Sequence, residues 1–100
     1  MRIDIEDIAL AVRSALEGRD VSEAWLFGSY ARGEQSDDSD IDLRLVCGAS
    51  IGYGELYEIS LELEAALGCP VEIVTNPLER MRPAFRRRVL ADQVMLYEAA

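Results

Sequence analysis

The sequence predicts a small α/β domain, a mixed β-sheet with helices packed on one face, and three observations predict it. Short apolar runs that read as strands (21–27, 39–47, 70–75 and 94–97) alternate with stretches whose apolar residues recur every three or four positions. The second of these runs sets Ile41, Leu43 and Leu45 against Asp40, Asp42 and Arg44 in strict alternation, the pattern of a half-buried strand. The resulting order, roughly αβαβαβαβ, fills 100 residues with no linker, repeat or low-complexity stretch, which fits one domain over residues 1–100.

Each element has a local reason. Ile5, Ile8, Val12 and Leu16 fall on one helical face, Asp4 can cap its start with Asp7 three residues on, and Gly18 can stop it. Val21 to Phe27 is a short apolar strand containing Trp25, and it runs straight into Gly28-Ser29. One helical turn at 30–33 and a polar loop at 34–39 lead to the alternating strand. Gly48 to Gly54 break the pattern, and Leu56, Ile59, Leu63 and Leu67 then mark an amphipathic helix that ends at Gly68. In the third strand Val71 and Ile73 flank Glu72. Asn76 and Pro77 can open a short helix, and Pro83 starts or kinks another that carries Phe85, Val89 and Leu90 before the last strand. With helices on one side of the sheet, the uncovered side is where ligands are expected.

The chemistry concentrates in Gly28-Ser29, a ten-residue gap, and Asp40-Ile41-Asp42. Carboxylates at i and i+2 of a strand project from one face, close enough to share hard divalent cations. Gly28 lets backbone approach a ligand with no Cβ in the way, and Ser29 offers a hydroxyl and an N–H where a short helix begins, a combination suited to phosphate oxygens. If Val71 and Ile73 face the core, Glu72 faces the same side as Asp40 and Asp42, and three carboxylates converge.

Composition narrows the options. A net charge of −9 argues against passive attraction to nucleic acid or to an anionic membrane, so a polyanionic substrate has to be held by local chemistry, with cations as the natural bridge. There is no His, and all ten basic residues are Arg. That excludes His-dependent nucleophiles, His-ligated zinc, a P-loop lysine and a Schiff base. Cys47 and Cys69 lack metal or redox spacing and read as buried thiols in a reducing cytoplasm. No apolar run approaches the roughly 20 residues of a membrane span.

The runs Gly28-Ser29-Tyr30-Ala31-Arg32-Gly33 and Ser39-Asp40-Ile41-Asp42-Leu43, with a later strand acid, resemble the DNA polymerase β nucleotidyltransferase superfamily, and in particular its single-domain minimal nucleotidyltransferases. The resemblance covers nearly the whole chain. It implies the nucleotidyltransferase fold and transfer of AMP from ATP to a hydroxyl, often a tyrosine of an all-helical HEPN ribonuclease for which such proteins act as antitoxin. It further implies catalysis by Asp40, Asp42 and Glu72 as ligands of two Mg²⁺ ions, with Gly28, Ser29 and Arg32 on the nucleotide phosphates. The third acid is usually Asp in the family; here it is Glu72. Arg32 could instead pair with Glu34 or Asp37. Arg86, Arg87 and Arg88 read as a solvated helix face, a partner contact, or a grip on an RNA end, and Tyr53 and Tyr57 as packing or partner contacts. Two other functions stay open: a non-catalytic antitoxin that neutralises its partner by covering it, and transfer to a small molecule or an RNA end. Nucleotide, acceptor and oligomeric state are not specified, and an oligomer is allowed.

Overall fold

In the computed structural model, which describes residues 3–99, four strands form one mixed sheet. They are β1 (Val21–Phe27), β2 (Ile41–Cys47), β3 (Val71–Val74) and β4 (Val94–Glu98), in the spatial order β3-β2-β1-β4. β1 runs antiparallel to both β2 and β4, and β2 runs parallel to β3. The helices are α1 (Ile5–Leu16), α2 (Ser29–Arg32), α3 (Tyr53–Leu67) and α4 (Pro83–Asp92), with a 3₁₀ turn at Leu78–Arg80. Parallel neighbours need a long crossover, and α3 supplies it.

α1 begins with the expected reciprocal cap: the Asp7 N–H donates to Asp4 Oδ1 at 2.9 Å and the Asp4 N–H donates to Asp7 Oδ2 at 3.1 Å. α3 ends at Gly68, whose φ of +72° is the left-handed conformation that closes a helix. Ile8, Val12 and Leu16 of α1 and Ile59 and Leu63 of α3 pack on Ala24, Leu26, Ile41, Leu43 and Leu45, all buried, to make the main core. Between the two helices, Arg19 donates to the Ala15 carbonyl at 2.9 Å and reaches Glu55 at 2.9 Å and Glu62 at 3.0 Å. One guanidinium thus ties the end of α1 to an otherwise acidic α3.

The structure departs from expectation in two places, the first being that not every helix joins the main layer on one face. α1 and α3 cover one side of the sheet, while Val89 and Phe85 of α4 pack with Met81 against Phe27 in a second, smaller core. Leu90 is 50% exposed, because one residue's rotation from Val89 carries it off the buried face. Arg44, expected on the open acidic face, is buried: its guanidinium lies 5.5 Å from the centre of the Trp25 ring and donates to Gln93 Oε1 at 3.0 Å. Among the described residues no helix is long and apolar enough to cross a membrane.

Leu43 sits at the centre of β2 with no exposed surface. Leu43→Ala is expected to lower the unfolding free energy by about 2–5 kcal/mol in urea melts; a loss below about 1 kcal/mol would mean that this face of β2 does not form the core.

Candidate functional site

The site is built by strand register. The Ile41 N–H donates to the Pro70 carbonyl at 2.9 Å, and from there Ile41 pairs with Val71, Asp42 with Glu72 and Leu43 with Ile73. Ile41, Val71, Leu43 and Ile73 all turn toward the main core, so Asp42 and Glu72 must turn the other way together. Neighbouring strands lie about 4.8 Å apart, which places the two carboxylates within reach of each other. β1 delivers the third part: Phe27 pairs with Asp42, and the chain leaves the sheet at Gly28. Gly28 has φ +81°, and a Cβ there would collide with the Asp42 carboxylate. Glycine is therefore required twice over, by backbone conformation and by the acid beside it. Ser29 opens α2, and Gly33 closes that single turn in the left-handed conformation.

Electrostatics follow from this crowding. The Asp42 carboxyl is pushed up to about 6, first by burial, then by a hydrogen bond to Glu72 and by the charges of Glu72 and Asp40, with Arg32 opposing. Arg32 is already engaged: its Nε donates to Glu34 Oε1 and an Nη to Asp92 Oδ2, both at 2.6 Å. Of the two pairings open to it in the sequence, that with Glu34 forms, and Asp92 is an addition no local pattern announces.

Gly28, Ser29, Arg32, Asp42 and Glu72 all line one pocket of about 360 Å³. Asp40 does not line it; this residue precedes β2, and its charge is felt at Asp42. Among the described residues no three Asp, Glu or Cys side chains form a ready-made metal cage. The opposite wall belongs to α4, through Phe85, Arg88 and Asp92. Sequence reasoning did not place these three in the site. Their i, i+3, i+7 spacing was the available signal, obscured because the arginine run was read as one surface. A larger hollow of about 920 Å³ between α1, the 34–39 loop and the end of α3 contains none of the six predicted site residues. Cys47 and Cys69 are free and only partly buried, and Tyr53 and Tyr57 are 91% and 65% exposed, so neither tyrosine serves as packing.

Known proteins resemble this chain in sequence and in fold. Residues 11–100 match the family described as polymerase beta nucleotidyltransferase. The chain is 38% identical over 92 residues to the protein adenylyltransferase MntA of Thermococcus cleftensis, covering 91% of each protein. Among solved structures, a toxin–antitoxin with AMP-PNP superposes with a TM-score of 0.71 at 23% identity, over 97% of this chain and 75% of that one. A tri-AMPylated HEPN toxin of Shewanella oneidensis in complex with its MNT antitoxin gives 0.61 at 20% identity, over 95% and 71%. The last two likenesses speak for the fold, while the first two reach the sequence itself. With a glycine-serine turn, two register-paired acids and a family match over nine-tenths of its length, this chain belongs to the polymerase β nucleotidyltransferase family.

Proposed function

We propose that this nucleotidyltransferase moves AMP from ATP to a hydroxyl of a partner protein, a tyrosine of a HEPN-type ribonuclease toxin, and so acts as its antitoxin. The observation that carries the reading is the pairing of Asp42 with Glu72 beside the Gly28-Ser29 turn. The similarity to an MntA adenylyltransferase and to MNT–HEPN assemblies supports the choice of nucleotide and acceptor. An ATP-dependent reaction and two free thiols suit a cytoplasmic setting.

The residues fit a divalent cation. Two adjacent carboxylates share one pocket, the chain has no lysine, and Arg32, the arginine whose charge acts on Asp42, is held by two other acids. Magnesium ordinarily binds through one or two carboxylates and completes its shell with substrate phosphates and water, so the lack of a three-acid cage agrees with it. Asp42 and Glu72, with Asp40 next to them, would hold Mg²⁺. When bound, the ion supplies charge neutralisation for the triphosphate and lowers the pKa of the acceptor hydroxyl.

The chain's own groups do the rest. The Ser29 hydroxyl and the first N–H groups of α2 hold the β- and γ-phosphates, and the missing Cβ of Gly28 lets them come close. In the metal-free protein the Asp42 carboxyl, raised to about 6, is mostly ionised at neutral pH and so stands ready for a cation. The acceptor oxygen gives up its hydrogen to a carboxylate oxygen of Glu72 and bonds to the α-phosphorus; the α–β anhydride bond breaks, and pyrophosphate leaves.

Incubated with Mg²⁺, labelled ATP and a HEPN partner, the protein should label that partner. Asp42→Asn and Glu72→Gln should each cut the rate by about 100-fold or more. Transfer unchanged by either substitution would refute the mechanism, and protection of cells by inactive variants would favour neutralisation by simple binding.

Crowding also makes a stability prediction for the metal-free protein. The folded Asp42 binds its proton more tightly than the unfolded chain does, so the stability tied to this group is complete below about pH 4 and is lost as pH rises through about 6. Asp42→Asn should therefore melt higher than wild type at pH 7.5 in chelator, by about 1 kcal/mol once screening by nearby solvent is allowed for, with the gap closing near pH 4. Millimolar Mg²⁺ should raise the wild-type melting temperature and leave that of Asp42→Asn in place. A pH-independent gap would show that the folded protein does not raise the Asp42 carboxyl.

Gly28→Ala should reduce transfer about as severely as loss of Asp42, because the new Cβ must displace that carboxylate. Activity within about threefold of wild type would mean that the turn can relax away from the acid.

A further inference from the structure

The geometry points to Arg88 as the guanidinium that grips the polyphosphate end of the nucleotide, an assignment that rests on the reading of this pocket as the nucleotide site. Two arginines line the pocket, Arg32 and Arg88. The first is committed to Glu34 and Asp92 and presents a largely neutralised group. The second forms no ion pair with a carboxylate among the described residues; its guanidinium carbon lies 5.9 Å from the centre of the Phe85 ring. Asp92, one helical turn further along α4, is the acid a free arginine there would be expected to take, and Arg32 already occupies it.

Placement is as informative as charge. Phe85 meets Phe27 edge-on, with ring centres 5.8 Å apart, and Phe27 immediately precedes the Gly28-Ser29 turn. The aromatic pair fixes the part of α4 that carries Arg88 relative to the turn expected to hold phosphate, and Asp42 and Glu72 line the same pocket. A pocket with so much negative charge needs a fixed donor for the oxygens that cations do not neutralise. The planar fork of a guanidinium matches a phosphate group through paired N–H bonds. Arg88 is the member of the Arg86-Arg87-Arg88 run that reaches this pocket, which divides the run into one pocket residue and two neighbours outside it.

Isothermal titration of ATP and of AMP, each with Mg²⁺ and without partner, separates the possibilities. Arg88→Ala should weaken ATP binding by about 10- to 100-fold and AMP binding by less than about threefold, because the contact is with the phosphates AMP lacks. Arg88→Lys should recover part of the loss, since it restores charge but not the fork, and Arg87→Ala should bind both nucleotides as wild type does. Unaltered ATP affinity in Arg88→Ala, or equal loss for ATP and AMP in a variant whose circular dichroism is unchanged, would overturn the assignment. If wild type itself binds no ATP, the pocket is not a nucleotide site and the inference falls with that reading.

Discussion

The constraint on which the site depends is the parallel register between β2 and β3. A single hydrogen bond from Ile41 to Pro70 begins it, and on the far side the buried Ile41, Leu43 and Val71 and the partly buried Ile73 maintain it. Slipping the register by one residue would turn either Asp42 or Glu72 into the core, where an unpaired carboxylate costs several kcal/mol, on the order of the stability of the whole domain. The apolar alternation thus does two jobs at once: it builds a core on one face and fixes two like charges side by side on the other. Burial first, and then the Glu72 carboxyl beside it, raise the Asp42 carboxyl to about 6.

A site of this kind is stable only because the charge imbalance is local. The chain carries −9, yet its arginines are not spread evenly against it. Arg19 gathers Glu55, Glu58 and Glu62 on α3, and Arg32 gathers Glu34 and Asp92. Asp42 and Glu72 receive no such partner in direct contact. Removing their repulsion would be simple for a protein selected for stability alone; leaving it keeps a pocket whose preferred occupant brings positive charge.

Much of this was legible in the sequence. The alternation in β2 and the flanking of Glu72 by Val71 and Ile73 were sufficient to place the acids on one face, because strand periodicity leaves a side chain only two choices. Gly28 was readable as a point of close approach, although what approaches it, the Asp42 carboxylate, is a long-range fact. Asp40 was placed within the strand and lies one residue before it, a discrepancy of the size that strand ends commonly show. What stayed hidden was α4. Its amphipathic pattern is weak, with large apolar residues only at Phe85, Val89 and Leu90, and its docking depends on contacts far along the chain, Arg32 with Asp92 and Arg44 with Gln93. No local pattern announces those.

Those same contacts explain why α4 can serve as a wall. Its first half is held by Phe85 and Val89 against Phe27. Its last turn is held at Asp92 by an arginine from α2, and the residue after it, Gln93, by one from β2, a buried arginine stacked on Trp25. A ten-residue helix fixed at one end to Phe27 of β1 and at the other to Arg32 of α2 and Arg44 of β2 cannot drift from the acids without breaking either an aromatic contact or a charged hydrogen bond. The pocket width is therefore set by β1, β2 and α4 together. Arg44, which sequence alternation assigned to the acidic surface, contributes from beneath: its buried position converts part of that surface into the foundation on which the fourth helix rests.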